Sequence, residues 1–465
     1  MSKDSGDKPT KKFAWMPDGR FFYPWERTFE RIITPFEEFI QRETTSGMIL
    51  IAGTILALVI ANSPLKEHYD HLIHSILYIA IGKLSLRLSL LHLINEGLMA
   101  FFFFVVGLEI KREILVGELS DLRSAGLPIV AAIGGMIVPA LLYYLFNTRG
   151  EYAIGWGIPM TTDIAFCIGA LVLLGKRIPQ TLMIFLVALA IVDDLGAVAV
   201  IAIFYTEVIQ YWALALAFGV FFLLMALNLG GVRRNMPYLL SGILLWLFML
   251  NSGIHAAITG ALVALCIPAR GRYNPDIFGE RLRELAGQFD EATCEETCIL
   301  SNIEQYSVLK AIDREGHLAE PLLQRMLDYC HLPVALLVIP AFALANAGIT
   351  FSFSSSYALL THPVTFGVMF GLIIGKPAGI ALFSWIFIRA KIVVLPQGVT
   401  MSHIIGAGLL GGIGFTMSIF IAELSFGNQP TTLNIAKTGI ILASLIAGTL
   451  GIVWLWLISR HKKNT

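Results

Sequence analysis

Residues 188–205 read ALAIVDDLGAVAVIAIFY, an apolar run interrupted by two adjacent acids, Asp193 and Asp194. A carboxylate inside a membrane span is costly, so it normally faces the bundle interior or a water-filled cavity and marks an ion or proton path. A pair buried for packing alone is the competing reading, and the same cost weighs against it. Neighbouring helix positions diverge by about 100°, so the two carboxyls cannot enter one pocket in the same way and should have different partners.

The rest of the chain supports a membrane setting. Its 465 residues are 56% hydrophobic and 14% charged, with a mean hydropathy of +0.74, outside the range of soluble domains. Lys+Arg and Asp+Glu balance at 33 each, so net charge suggests no polyanionic partner, and no basic stripe implies nucleic acid. The five cysteines, Cys167, Cys266, Cys294, Cys298 and Cys330, are odd in number and partly inside apolar spans, which reads as reduced thiols. The polar N-terminus carries no short apolar core before a small-residue cleavage site, so no removable signal peptide is expected.

Apolar runs of roughly 17–25 residues predict an all-α polytopic protein of twelve transmembrane helices. They start near residues 46, 93, 126, 153, 180, 210, 237, 253, 332, 363, 403 and 434. Most of the 33 Lys and Arg residues fall in segments that share one side, the cytoplasmic side by the positive-inside rule, with both termini there. The outer loops keep only Lys66, Lys83, Arg87 and Arg149. The expected organisation is a cytoplasmic N-terminal segment over 1–45, helices one to eight over 46–268, a charged cytoplasmic insertion over 269–331, helices nine to twelve over 332–459, and a tail over 460–465. Within the first segment, Trp25, Phe29, Ile33, Phe36 and Ile40 recur at helical spacing against charges, predicting an interfacial helix over 20–45. Cys294 and Cys298 in the insertion are a weak metal signal without a second pair of ligands.

A third acid lies in PMTTDIAFCIGALVLLGKRIPQ, residues 159–180. Asp163 and Asp193 lie 12 residues before Gly175 and 14 after Pro179, so both fall about 18–21 Å from the intervening basic turn, near mid-membrane. Pro159, Thr161, Thr162 and Asp163 are poor helix, and a span unwound there exposes carbonyls and helix ends suited, with the Thr162 hydroxyl, to a hard cation. Lys376, in GLIIGKPAGIALF (371–383), is a mid-span ammonium for which pairing with one of the acids is the economical solution. Phe370 stands where a phosphate loop needs glycine and Pro377 where it needs a hydroxyl, so no nucleotide site is implied. In LLGGIGFTMSIFIAEL (409–424), Gly411, Gly412 and Gly414 precede Thr416 and Ser418. Glycines there can serve close helix packing alone. Yet this run is the middle of the last three spans, as the Thr-Thr-Asp run is the middle of three spans of opposite orientation. Two inverted triplets with interrupted central members point to a transporter with crossed discontinuous helices, the fourth and eleventh.

These residues resemble the NhaA-type bacterial sodium/proton antiporter family, from about residue 46 to 458. The matching blocks include FFFFVVGLEIKREI, TTDIAFCIGALVLLG, ALAIVDDLGAV, IPAFALANAGI, IGKPAGIALF and GGIGFTMSIFIAELSFG, in order. The resemblance implies an inverted-repeat fold and electrogenic exchange of cytoplasmic Na⁺ or Li⁺ for external H⁺. It also implies a homodimer in the lipid of the bacterial inner membrane, a role in pH homeostasis and salt tolerance, no enzymatic activity and no cofactor. By position, Asp194 resembles the principal ion- and proton-binding carboxylate, Asp193 the acid paired with Lys376, and Asp163 and Thr162 the residues at the helix-four break, with Na⁺ at Asp194 and Asp163. Glu109, Arg112 and Glu113 resemble a cluster linked to pH activation; a solvated helix end is their plain alternative. His255 and His331 resemble further pH-regulatory positions, Glu96 occupies the place of an acid near the outer end of helix two, and His331 is what remains recognisable of a short basic segment that the insertion replaces.

The expected mechanism is competition: Na⁺ on Asp194, Asp163, Thr162 and backbone oxygens displaces protons, and either Asp193 or Lys376 carries a second one. Two rivals are an intramembrane aspartyl protease, which lacks its Gly-x-Gly-Asp pattern here, and a passive cation channel.

Overall fold

Inside hydrocarbon a chain must satisfy its own backbone hydrogen bonds, which turns the long apolar runs into helices. The computed structural model describes residues 14–15, 21–22, 43–81, 84–148, 150–206, 209–271, 275–292, 302–349 and 361–461. A two-residue ladder pairs β1 (Ala14–Trp15) with β2 (Phe21–Phe22). The helices then run α1 (Glu43–Ala61), α2 (Lys66–Ile73), and, after a hairpin of β3 (Ile76–Ile81) and β4 (Leu84–Ser89), α3 (Leu90–Leu115) and α4 (Leu122–Phe146). A 3₁₀ segment, Gly150–Met160, leads into α5 (Ile164–Leu174). Then follow α6 (Gln180–Phe204), α7 (Tyr211–Leu229), α8 (Asn235–Leu250), α9 (Thr259–Cys266), α10 (Pro275–Glu291) and α11 (Ile303–Ala319). The last are α12 (Leu322–Asn346), α13 (Pro363–Arg389), α14 (Met401–Gly411), α15 (Phe415–Phe426) and α16 (Pro430–His461).

Among the described residues seven helices, α3, α4, α6, α7, α12, α13 and α16, are long and apolar enough to cross a membrane. Three bent pairs raise that to as many as ten: α1 with α2 at 116°, the 3₁₀ segment with α5 at 42°, and α14 with α15 at 49°. Two shorter apolar helices, Asn235–Leu250 and Ala256–Cys266, complete the set. The chain is thus a mostly helical, polytopic membrane protein.

The strands depart from an all-α expectation. The β3–β4 hairpin pairs Ile76 with Ser89 through Ile81 with Leu84, and LSLRLS in β4 alternates with the period of two that a strand requires. The expected interfacial helix over 20–45 lies outside the described residues, apart from β2 and the first turn of α1 from Glu43, and Cys294 and Cys298 lie outside them too. In the insertion, α10 and α11 pack on each other around Leu285 and Val308. Helix α12 starts at Leu322, ahead of the apolar run at 332, because its first turns are amphipathic and bury Leu322, Leu323, Met326 and Leu327.

Two details set the position of the site. Helices α4 and α13 cross so closely that a Cβ on Gly134 would overlap the Gly379 carbonyl oxygen, and one on Gly379 the Gly134 oxygen, which brings Lys376 against the centre of the bundle. Among the described residues three spans also contain a π-helical turn, Leu93–Leu98, Val334–Val338 and Gly371–Gly375, the last ending directly before Lys376. Such turns displace the side chains that follow them relative to a regular helix.

Candidate ion-binding site

The 3₁₀ segment stops at Met160, Thr161–Asp163 lie outside regular helix, and α5 begins at Ile164 with Asp163 as its N-cap, Oδ1 accepting from Phe166 N at 3.3 Å. In the partner break, Gly412–Gly414 separate α14 from α15. A break inside an apolar helical run leaves backbone donors and acceptors unmatched, and here each break supplies the other. Asp163 N donates to Ile413 O at 2.7 Å, Thr162 Oγ1 to Gly411 O at 2.9 Å, and Cys167 Sγ to Leu410 O at 2.9 Å. Thr416 reaches back, donating from N (3.1 Å) and Oγ1 (2.6 Å) to Asp163 Oδ2. Thr161 and Ser418 hydroxyls meet at 3.1 Å, and Ser418 Oγ donates to Ile158 O at 2.8 Å. Helix α16 adds Ser444 Oγ, which accepts from Phe415 N at 3.3 Å.

Helix α6 runs past the two breaks without interruption and presents its two acids to different surroundings. Asp193 Oδ2 accepts from Lys376 Nζ at 2.6 Å, both side chains essentially inaccessible, and the same ammonium donates to Met160 O, the carbonyl on which the 3₁₀ segment ends. Asp194 is 1% exposed, and neither of its carboxyl oxygens has a hydrogen-bond donor among the described residues. It lines a cavity of about 340 Å³ together with Thr162, Asp163 and Thr416. At the far end the cavity is lined by Glu109 and Arg112 of α3 and Asp328 and His331 of α12. A funnel therefore runs from charged side chains at one face down to buried oxygens.

The donor set at its floor is carboxylate and hydroxyl oxygen, with the ammonium turned toward Asp193 instead of Asp194. Hard, oxygen-seeking monovalent cations and protons suit such a set; soft metals, which favour sulfur and imidazole, do not. No group of three His, Cys, Asp or Glu side chains with metal-holding geometry occurs among the described residues.

Other sequence-predicted residues are distributed around this centre. Gly411 contributes its carbonyl to Thr162, while Gly412 and Gly414 form the second break. Glu113 pairs with Arg112 at 3.2 Å and accepts from Glu118 N, but lines a neighbouring cleft that shares only the Ile168 and Val187 walls with the funnel. His255 and Glu96 are brought together away from the funnel: Nδ1 lies 3.1 Å from Glu96 Oε1, and Ala257 N donates to Oε2. Sequence reasoning missed Asp328 and the Glu423–Lys437 ion pair at 2.5 Å, and it gave Thr161 and the Cys167 thiol no partners. A helical wheel placing Asp328 one turn before His331 would have found the first.

A family model described as Na+/H+ antiporter 1 matches residues 37–455. A Sulfurimonas denitrificans protein called Na(+)/H(+) antiporter NhaA is 48% identical over 441 residues, 95% of this chain and 99% of its own. Its namesake from Acidithiobacillus ferrooxidans is 49% identical over 93% of this chain and 99% of its own length. One from Saccharophagus degradans, called Na(+)/H(+) antiporter NhaA 1, is 47% identical, with 95% of each chain covered.

Proposed function

The chain belongs to the Na+/H+ antiporter 1 family, and from that premise we propose that it exchanges cytoplasmic Na⁺ or Li⁺ for external H⁺ by competition of the two ions for Asp194. The observation that carries this reading is the Asp194 carboxyl, buried, without a donor, at the floor of a funnel that also reaches Asp163, Thr162 and Thr416. A carboxylate in that setting needs either a proton or a cation, and one site cannot hold both.

In this scheme the funnel mouth faces the cytoplasm. A dehydrating Na⁺ is taken up by Asp194 with Asp163, the Thr162 hydroxyl and break carbonyls, and protons leave. Rocking of the bundle that contains the two breaks exposes the site on the other side, where protons displace the cation, and the protonated carrier returns to release them at the cytoplasmic face. The Asp193–Lys376 pair holds the first break through Met160 O and supplies the second titratable position. Two protons against one cation make the cycle electrogenic and the membrane potential a driving force, worth about 2.3 kcal/mol per charge per 100 mV. Glu109, Arg112 and His331 at the mouth are placed to tune cation entry with pH, with Glu113 holding Arg112. Counting the two shorter apolar helices and taking α2 as a surface helix gives twelve crossings, with inverted repeats, both termini cytoplasmic, the insertion over 269–331 on the same side, and a homodimer in the bacterial inner membrane. A protease dyad is disfavoured because Lys376 occupies Asp193.

The test is Asp194→Asn in everted membrane vesicles carrying a pH dye, with Na⁺ and pH varied independently. Abolished Na⁺-driven proton movement is expected; exchange at the native rate removes the core of the proposal.

A further inference from the structure

The 3₁₀ segment Gly150–Met160 is 11 residues long, whereas 3₁₀ runs beyond three or four residues are uncommon because their hydrogen bonds are poorer than those of an α-helix. The choice of form decides how far the segment reaches. At about 2.0 Å per residue it spans about 22 Å, against about 16.5 Å at the α-helical rise of about 1.5 Å, so relaxing to an α-helix would shorten it by about 5.5 Å. Thr162 and Asp163, which line the funnel, follow closely on its end, while no residue of the segment itself is among the lining residues.

Something outside the segment has to hold the longer form, and its carbonyls show what does. Tyr143 of α4 donates its hydroxyl to Tyr152 O at 2.8 Å, and Tyr205, just past the end of α6, donates to Ile154 O at 2.8 Å. Ser418 of α15 donates to Ile158 O at 2.8 Å, and Lys376 of α13 to Met160 O. A carbonyl oxygen has two lone pairs, so it can take such a bond in addition to a helical one. Four different helices thus grip the segment at four levels. Tyr143 is fully buried and Tyr205 is 5% exposed. The backbone is shaped to admit them: a Cβ on Gly155 would overlap the Tyr143 hydroxyl oxygen, and one on Gly157 that of Tyr205.

A buried tyrosine sometimes does no more than satisfy its own hydroxyl. Tyr238 of α8 is such a case, fully buried and donating at 3.1 Å to Val232 O in the turn before its own helix. Tyr143 and Tyr205 differ from it in converging, from two helices, on one segment whose regular alternative is shorter.

We propose that Tyr143 and Tyr205 are positioning residues of the ion site: by holding the segment in its longer form they set the reach of Thr162 and Asp163 toward Asp194, and with it the affinity for the cation. This deepens the antiport reading and rests on it.

The test uses the full chain in proteoliposomes with an entrapped pH dye and Na⁺ titrated at fixed pH, so that the half-saturating Na⁺ concentration and the maximal rate are read separately. Tyr205→Phe removes one hydroxyl and keeps the ring. It should raise half-saturating Na⁺ about fivefold, the typical worth of one hydrogen bond, and leave the maximal rate within about twofold of native. Tyr143→Phe should act in the same direction, and it decides the matter if Tyr205→Phe cannot be purified. Tyr238→Phe, which loses an equally buried hydroxyl elsewhere, should keep the native half-saturation. Native half-saturation in the Tyr205 and Tyr143 variants, or an equal rise in Tyr238→Phe, overturns the positioning role. Native protein that shows no Na⁺-driven signal overturns the antiport reading instead.

Discussion

Replacing Lys376 by Met tests the physics of the site more directly than deleting Asp194, the acid proposed to bind the ion. The ammonium donates to Asp193 and to Met160 O, and all three groups are shut away from water. Removing one partner of a buried pair costs about 3–5 kcal/mol, because the other charge stays behind uncompensated. The variant has one escape, protonation of Asp193, and neutralising a carboxyl of ordinary pKa 3.9 at pH 7 costs about 4 kcal/mol at 1.36 per unit. The two routes agree, so the expected loss is about 4 kcal/mol at pH 7 and shrinks by about 1.4 for each unit of acidification. At about 2 °C per kcal/mol, the lower end for large domains, the thermal midpoint falls by roughly 8 °C. The assay is thermal unfolding in detergent at a fixed scan rate, since membrane proteins seldom refold on cooling. Lys376→Met with Asp193→Leu, which removes both charges, should regain most of the loss. A single variant that melts with the native protein, or a double variant no better than the single, would show that the pair is not the tie described.

Further perturbations bear on neighbouring features. Thr416→Val removes the hydroxyl donor to Asp163, a bond to an acid worth about 1.5–3 kcal/mol, and should raise the Na⁺ concentration for half-maximal exchange about tenfold or more in vesicles. Gly134→Ala forces a methyl into the Gly379 carbonyl and should cost about 1–3 kcal/mol, read as a lower thermal midpoint. His362 caps α13 by accepting from Val364 N through Nδ1, which requires a neutral ring, and burial lowers its pKa below 6.5. Its contribution is complete above the unfolded value and falls away as pH drops through 6.5 toward the folded one, so His362→Asn should flatten the midpoint between about pH 7.5 and pH 5.

How much of this was legible beforehand depended on which physical rule was in play. Membrane insertion is decided by hydropathy alone, so the positions of α3, α4, α6 and α13 followed from composition. The break at Thr161–Asp163 was visible because Pro159 and two threonines are poor helix, and the divergence of Asp193 from Asp194 because neighbouring helix positions point apart. Partners across the bundle were not visible: nothing local tells that Thr162 donates to Gly411 O or Lys376 to Met160 O, 249 and 216 residues away. The β3–β4 hairpin was overlooked despite the alternation in LSLRLS, since an outer loop was read only for its charges. The Glu96–His255 contact needed the turn after Asn251 to fold back, which sequence spacing does not encode.

The reciprocal bonding of the two breaks has an evolutionary corollary. Each interrupted segment is the other's missing backbone partner, so neither can drift in sequence or shift in register without stranding polar groups in oil. Tolerated change at 161–163 should therefore arrive together with compensating change at 411–416, and attempts to re-engineer ion preference from one strand of the clasp will meet resistance from its twin.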